Sequence, residues 1–424
     1  MGSQIQGAQH LKLIDRLFKP KIPPRDEFVA AMAEEYRRRG SAPPVYDPVE
    51  FCFRFESGFV YLTNLFHSWQ LTEPNERKSL VARFVNGFLS PKLKWTSLAA
   101  VRDALMPLVR SRAEISALSL ACAGRHGGDG EQAWAPFAGD LGIALGLDHL
   151  DVIAHVKRSE LSAIGESFGS VLPTALANLE RRIPSVAFRP CGVGPGVFVA
   201  EDARDYQTST LLLPIGRHFS FPALNGEPVV VPYARNALLL AGSRDQRALI
   251  ALADFVAKTL DATPHRCSLR MLRRDGERWI AWLPDGEAGR AHQDALRKQD
   301  CQDYADQKFE LEARHRETGQ DVFVGSVMVL SRAEGDTTLA VWPDDVSDGW
   351  LPQAEHIVFR RRPDAGEGDA ATSIQAPWVA AMPLVQHLLT PLPDLYPPRW
   401  RYAAGPDAKT LSALEALAVR SAQK

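Results

Sequence analysis

The sequence predicts an α+β protein, with mixed helices and mainly antiparallel sheets in two or three domains. Three observations predict it. The chain has 424 residues, more than one ordinary hydrophobic core accommodates. Segments with a helical period of 3.6 residues are interspersed with segments that alternate like strands. They do not follow the strict strand–helix succession of a doubly wound parallel sheet.

Composition narrows the class. At 45% apolar and 24% charged residues, the chain is of the soluble globular type. A net charge of −2 disfavours a protein built to hold nucleic acid, which carries a basic excess. The longest apolar runs, such as "NALLLAG", fall far short of the roughly 20 residues of a membrane span. The N-terminus has no apolar core of signal-peptide length. Cys52, Cys122, Cys191, Cys267 and Cys301 form no C-x-x-C, as expected for reduced thiols. These features place the chain in a bacterial-type cytoplasm, with no membrane partner.

The elements follow in order. Residues 1–24 are polar and then rich in Lys and Pro, and read as a loose arm. "RDEFVAAMAEEYRRRG" is a helix whose Phe28, Met32 and Tyr36 recur at i, i+4, i+8, with Gly40 at the position of a terminating glycine. "VEFCFRFESGFVYLTNLF" alternates as two strands around Ser57-Gly58. "TEPNERKSLVARFVNGFLS" is a helix capped by Thr72, with a stripe of Leu80, Val81, Phe84, Val85 and Phe88. "SLAAVRDALMPLVRSRAEI" continues as helix until Pro107 interrupts it. A loop tip at Arg125–Gly130 leads to the strands "LGIAL" and "HLDVIAHV" and the helix "ESFGSVLPTALANLERR". "EPVVVPYARNALLLAG" reads as two short buried strands, and "SRDQRALIALADFVAKTL" as a helix with a capping box from Ser243 to Gln246.

The texture changes near residue 265. A hairpin turning at Asp275-Gly276 precedes a long polar helix closed by Gly319. The strands "DVFVGSVMVL" and "TTLAVW" follow, joined by "HIVF". A segment flexible by composition, "RPDAGEGDAATS", separates them from two terminal helices. The domains expected are the arm 1–24, an N-terminal α+β subdomain 25–115, a central α+β domain 116–264 and a Trp-rich C-terminal α+β module 265–424.

Candidate chemistry is sparse. "CGVGPGVFVAEDARDYQTSTLLLP" opens with closely spaced glycines, but both flanks look extended and Pro195 lacks a donor. It reads as a turn between paired strands, not a phosphate loop. The polar cluster Asp202, Asp205, Tyr206, Gln207, Thr208 and Ser209 is either a backbone-capping network or a ligand contact. "GRHGGDGE", with His126, Asp129 and Glu131, lacks the three-ligand pattern of a metal site. His265 and Cys267 would share one face of a strand, without a known nucleophile signature. No cofactor is implied, and no catalytic residue or metal ligand is assigned. Six of nine tryptophans, including Trp350, fall after residue 270, near Arg360 and Arg361. They either fill a core or anchor a partner.

The order of "DEFVAAMAEEY", "YDPVEFCFRF", "VYLTNLFHSW", "ALMPLVRS", "LDVIAHVKRSELSAIGES", "DYQTSTLLLP" and "VVVPYARNALLLAG" across residues 25–262 resembles the YtpQ-like bacterial family of uncharacterised proteins. The resemblance implies an α+β intracellular protein and supplies no reaction. An acid–aromatic–serine–leucine pattern of that family falls on Asp205, Tyr206, Ser209, Leu211 and Leu212. A proline–arginine–acid pattern falls on Pro232, Arg235 and Asn236, where the amide departs from the acid and removes any base.

Two functional readings follow. In one, the protein is a non-catalytic intracellular accessory or protein-interaction protein. Its C-terminal module docks a protein partner or a second copy of the chain, and Trp350, Arg360 and Arg361 are the candidate contacts. In the other, it is a hydrolase or transferase acting on a small phosphorylated or acyl substrate. Asp205, Tyr206, Ser209 and Arg235 then form a ligand site, in which Arg235 holds an anion.

Overall fold

A computed structural model describes residues 25–55, 58–90, 96–122, 130–149, 152–201, 204–332, 335–361 and 372–422. The expected arm 1–24, most of the loop tip with His126 and Asp129, Asp202 and most of the "RPDAGEGDAATS" segment lie outside the described residues. The fold is α+β, with mainly antiparallel sheets. The described chain forms two compact units. One runs to Ser111 and resumes over Cys122–His292. The other comprises Arg112–Ala121 and the chain from Gln293 onward.

In the first unit, α1 (Arg25–Arg38) buries Phe28, Met32 and Tyr36 as their spacing predicts. Each such side chain contributes about 2 kcal/mol on full burial. Gly40, at φ 72°, ends the helix. The strands β1 (Val45–Asp47), β2 (Cys52–Phe55) and β3 (Gly58–Tyr61) form an antiparallel sheet. With α2 (Thr63–Leu71) and α3 (Arg77–Leu89) it encloses an aromatic core of Phe28, Phe51, Phe53, Phe66 and Trp69. Thr72 closes α2 instead of opening α3. Its hydroxyl donates to the Ser68 carbonyl at 2.8 Å, and Glu76 precedes α3.

The helix expected through Pro107 stops early. After α4 (Leu98–Val101) comes β4 (Leu105–Ser111), buried along its whole length. Among the described residues, β4 pairs only with β6 (Leu141–His149). Alternate N–H groups of β4 therefore point away from the sheet. The Val109 N–H does so and reaches Ser209 Oγ at 3.0 Å. Pro107, two residues earlier, stands where its missing donor costs no ladder bond. The chain then enters α5 (Arg112–Cys122). On the other edge of β6 lie β5 (Trp134–Pro136) and β7 (Val152–His155).

Beyond α6 (Arg158–Ala163), α7 (Phe168–Arg182) begins at a reciprocal Ser167–Ser170 cap and carries Pro173 on its exposed side. Its buried Val171 and Ala175 pack against Leu105, Leu145 and Leu147. Asn178 donates to the Arg102 and Leu105 carbonyls, both at 2.7 Å, which fixes the entry into β4.

A seven-stranded sheet completes the unit. It contains β8 (Val186–Pro190) and β9 (Phe198–Ala200), then, after α8 (Ile215–His218), β10 (Phe219–Ser220), β11 (Pro228–Ala234) and β12 (Ala237–Gly242). α9 (Gln246–Thr259) and the hairpin β13 (Leu272–Asp275) and β14 (Arg278–Ala281) follow. The order is β10-β8-β9-β12-β11-β13-β14, antiparallel except for β10 on β8. β11 and β12 are wholly buried, and a bulge between Val231 and Ala234 takes up Pro232. α9 is capped by Asp245, which accepts from the Ala248 N–H at 3.1 Å. Ser243 instead accepts from the Glu227 N–H at 2.9 Å.

The glycines after Cys191 form the expected turn, joining β8 to β9 with Phe188 opposite Ala200. Gly196 has φ 77°, and a Cβ there would stand 2.5 Å from Asp245 Oδ2. Glycine is required because the turn lies against the capped start of α9, whose N-terminal donors already hold the chain's own carboxylate. The β13–β14 hairpin turns at Gly276, with φ 60°, and β13 pairs with β11 through Val229–Arg273 and Val230–Leu272. The change of texture at residue 265 is thus no unit boundary. A shift in local composition does not register pairing between strands about 40 residues apart.

α10 (Gly286–Thr318) is continuous, and Gly319 at φ 66° ends it. The second unit holds two four-stranded sheets. One orders β15 (Phe323–Val324), β18 (Gly349–Pro352), β22 (Arg399–Tyr402) and β21 (Thr390–Leu392). The other orders β16 (Val327–Arg332), β17 (Gly335–Pro343), β19 (His356–Arg361) and β20 (Thr372–Pro377). Trp342, Leu351, Ile357, Phe359, Trp378 and Tyr402 form its core with α11 (Trp378–Val385) and α12 (Ala408–Ala422). Trp342 and Trp378 are therefore core residues.

Candidate functional site

The four residues expected at a ligand site divide three ways. They lie on consecutive 3-10 turns, Arg204–Tyr206 and Thr208–Leu212, and on the turn that joins β11 to β12. Ser209 faces inward. It is fully buried, and its Oγ accepts from Val109. Thr208 beside it donates to the Val109 carbonyl at 3.3 Å, and the Arg235 carbonyl lies at 3.4 Å. These hydroxyls fasten the 3-10 turn to the free edge of β4. Gln207, also buried, donates to the Ala200 carbonyl at 3.0 Å and accepts from the Leu238 N–H at 3.3 Å. Gln207, Thr208 and Ser209 thus satisfy main-chain groups of other segments, and Gln207 at the start of the second turn makes no side-chain cap.

Tyr206 is buried beneath Arg182, whose guanidinium lies 5.2 Å from the ring centroid. Burial, reinforced by the nearby Asp148 carboxylate, pushes its hydroxyl pKa far up. Arg182 borders an open cavity of about 320 Å³, lined also by Asp103, Met106, Asp148, Asn178 and Arg181. Both arginines there have partners. Arg182 pairs with Asp148, and Arg181 donates to Asn178.

Asp205 and Arg235 do meet, with Oδ1 3.6 Å from Nε. The carboxylate is 54% exposed and the guanidinium 25% exposed. That separation is an ion pair without a hydrogen bond. Arg235 Nε is buried and makes none, and neither does the buried Asn236 Oδ1. Arg235 is held by its backbone, whose N–H donates to the His265 carbonyl at 2.9 Å. His265 sits in the left-handed region at φ 51°, and Asn64 Oδ1 accepts its N–H at 2.9 Å. This geometry takes His265 out of the strand that would place it beside the buried Cys267.

Around Arg235 gathers a group that pattern reading missed. Arg110 of β4 is almost fully buried and donates to its neighbour's carbonyl, that of Val109, at 2.8 Å. His155 ends β7, with its Nδ1 sealed from solvent and without a partner. Burial, then the charges of Arg110 and Arg235, hold its pKa down at about 3. Burial and the same two arginines, with His67, hold His265 well below the usual histidine range. Both imidazoles are thereby kept neutral at physiological pH. The arrangement suits electrostatic capture of an anion and not proton transfer near neutrality.

Trp350 of β18 is half-buried, packs against Leu120, Leu311 and Val324, and stands edge-on to His315 at 4.8 Å. Arg360 is exposed on β19, in the other sheet of the second unit, opposite Ser373. Arg361's side chain lies outside the described residues. Glu131 pairs with Arg158 at 3.0 Å. Among the described residues, no three of His, Cys, Asp or Glu gather as a metal would need, and no helix is long and apolar enough to cross a membrane. No family model matches the chain, and neither a curated protein nor a solved structure matches it.

Proposed function

We propose that this is a non-catalytic cytoplasmic accessory protein of the YtpQ-like kind, whose second unit docks a second copy of the chain. One observation carries the reading. β16 is an edge strand, hydrogen-bonded on one side to β17, and its Met328, Val329 and Leu330 are all exposed. Proteins ordinarily blunt such edges with charge, proline or a bulge. Here the stretch from Val327 to Ser331 carries no charge. An antiparallel copy laid along it meets no like-charge pair, and a two-fold axis lets each edge satisfy the other's main-chain groups. The neutral strip favours this self-complementary occupant over an acidic or basic partner.

The silencing of the titratable groups supports a binding role over a catalytic one. His155 is held at about 3 by burial, and burial raises Cys301 to about 11. Ser209 spends its oxygen on Val109. Sizing with light scattering on the full chain tests the proposal. A dimer is expected, and Val329→Lys, which places a like charge near the axis, is expected to yield monomers with an unchanged circular dichroism spectrum. A monomeric wild-type chain at several hundred micromolar, or a dimer unaffected by Val329→Lys, overturns it.

A further inference from the structure

We propose that Arg235, Arg110, His155 and His265 form a binding site in the first unit for a small phosphate-class oxyanion. Three independent features converge on it. First, Arg235 points a guanidinium that donates no hydrogen bond among the described residues, with a buried and unpartnered Nε, toward a carboxylate at 3.6 Å. Left without a hydrogen bond, a buried charged donor costs more than a neutral one. An oxyanion accepting from Arg235 removes that deficit. Second, His155 Nδ1 and His67 Nδ1 are also buried and unpartnered. His67 lies one turn along α2 from Asn64, whose side chain accepts the His265 N–H. Sealed polar atoms that gather in one region mark a place where a bound group completes the hydrogen bonding. Third, the backbone of His265 is held at φ 51° by the Arg235 N–H, which its carbonyl accepts, and by the Asn64 side chain. A non-glycine residue in that region is strained, and the strain is kept by contacts that fix the Arg235 turn.

The sign of the field selects the ligand. The charges that act on His155 are those of Arg110 and Arg235, and both disfavour its protonation. Those that act on His265 are Arg235, Arg110 and His67, again all cationic in sense. Of the carboxylates beside the group, Asp205 is mostly solvated and engages Arg235 loosely, and Asp261 acts on His67. Asp205 serves as an exchangeable internal counter-ion that a stronger acceptor displaces. Neutral imidazoles each retain one N–H donor, and guanidinium groups offer several. A tetrahedral oxyanion has enough oxygens to accept from more than one of them, whereas a halide forms no directed set. The same chemistry is met by inorganic phosphate and by the head of a phosphate monoester.

The test uses the full chain in a phosphate-free buffer, with calorimetry and thermal melts. Inorganic phosphate, glycerol phosphate and acetate are titrated against sodium chloride of matched ionic strength. Saturable binding of phosphate or glycerol phosphate is expected, and the tighter of the two identifies a free ion or a phosphorylated metabolite as the source. Arg235→Gln is expected to weaken binding about tenfold or more, the loss of one charge-assisted interaction. Asp205→Asn, an exposed change that leaves the fold intact, is expected to tighten it several-fold by removing the competitor. Stabilisation no greater than that from chloride overturns the proposal, as does acetate binding as tightly as phosphate. Should Arg235→Gln fail to fold, Asp205→Asn decides alone, and unchanged phosphate affinity in that variant rejects the site. None of these outcomes depends on the oligomeric state.

Discussion

Single residues in this chain often hold main-chain groups together rather than one another. Arg399 is 1% exposed, and it donates to the Gln307 side chain and to the carbonyls of Gly325, Trp350 and Tyr304. Burial lowers its pKa to about 10, so it still carries its charge at neutral pH. The planar fork satisfies acceptors in several directions, which the single ammonium of lysine does not. Arg399→Lys is therefore expected to destabilise the second unit by roughly 3 kcal/mol, seen as an earlier urea transition. Ser209 is the counterpart in the first unit. Ser209→Ala leaves the buried Val109 N–H without an acceptor and is expected to cost about 1–3 kcal/mol, while phosphate affinity stays within twofold. A loss of affinity without a loss of stability would return Ser209 to the ligand.

At the scale of elements, the two hairpin turns separate backbone strain from crowding. Gly276, at φ 60°, has open space where a Cβ would stand, whereas a Cβ on Gly196 at φ 77° meets Asp245 at 2.5 Å. Gly276→Ala is expected to cost about 1 kcal/mol, the left-handed penalty alone. Gly196→Ala is expected to cost more, because the cap of α9 must shift as well, and equal losses in denaturant melts would contradict the contact. Much of this level was legible. The stripe of α1, the Asp275-Gly276 turn and the glycine turn before β9 are local patterns. β4 was not legible, because a short apolar run ending in "PLV" fits a buried helix as well as a strand, and the free edge that tolerates Pro107 exists only once β6 is paired. The site was legible in part for the same reason. Asp205 and Arg235 lie in recognisable stretches. Arg110, His155 and His265 come from separate segments that only strand pairing and the Arg235–His265 backbone bond bring together.

For the molecule as a whole, the buried histidines set the response to acid. His155 is held at about 3, by burial and then by Arg110 and Arg235, and His292 at about 4, by burial and then by Arg270. Both lie in the first unit. Unfolded, each takes a proton near 6.5. A basic group whose folded pKa is depressed leaves stability intact above its unfolded value. That stability is lost as pH falls through 6.5 toward the folded value, because only the unfolded chain binds the proton there. The loss amounts to roughly 2 kcal/mol per histidine at about pH 5. Glu35, held at about 2 by Arg38, acts in a lower window, since its contribution persists above 4.5 and fades only below that. With His265 also held well below its ordinary value, the first unit is thus expected to weaken by at least about 4 kcal/mol between neutral pH and about pH 5, before any carboxylate effect. Urea melts across that range measure it. Replacing His292 with Gln removes its proton uptake and is expected to flatten the slope in part, leaving the share of His155 and His265. A flat profile in the wild type would mean that these imidazoles accept protons in the folded state, and the cationic character of the Arg235 region would fall with it.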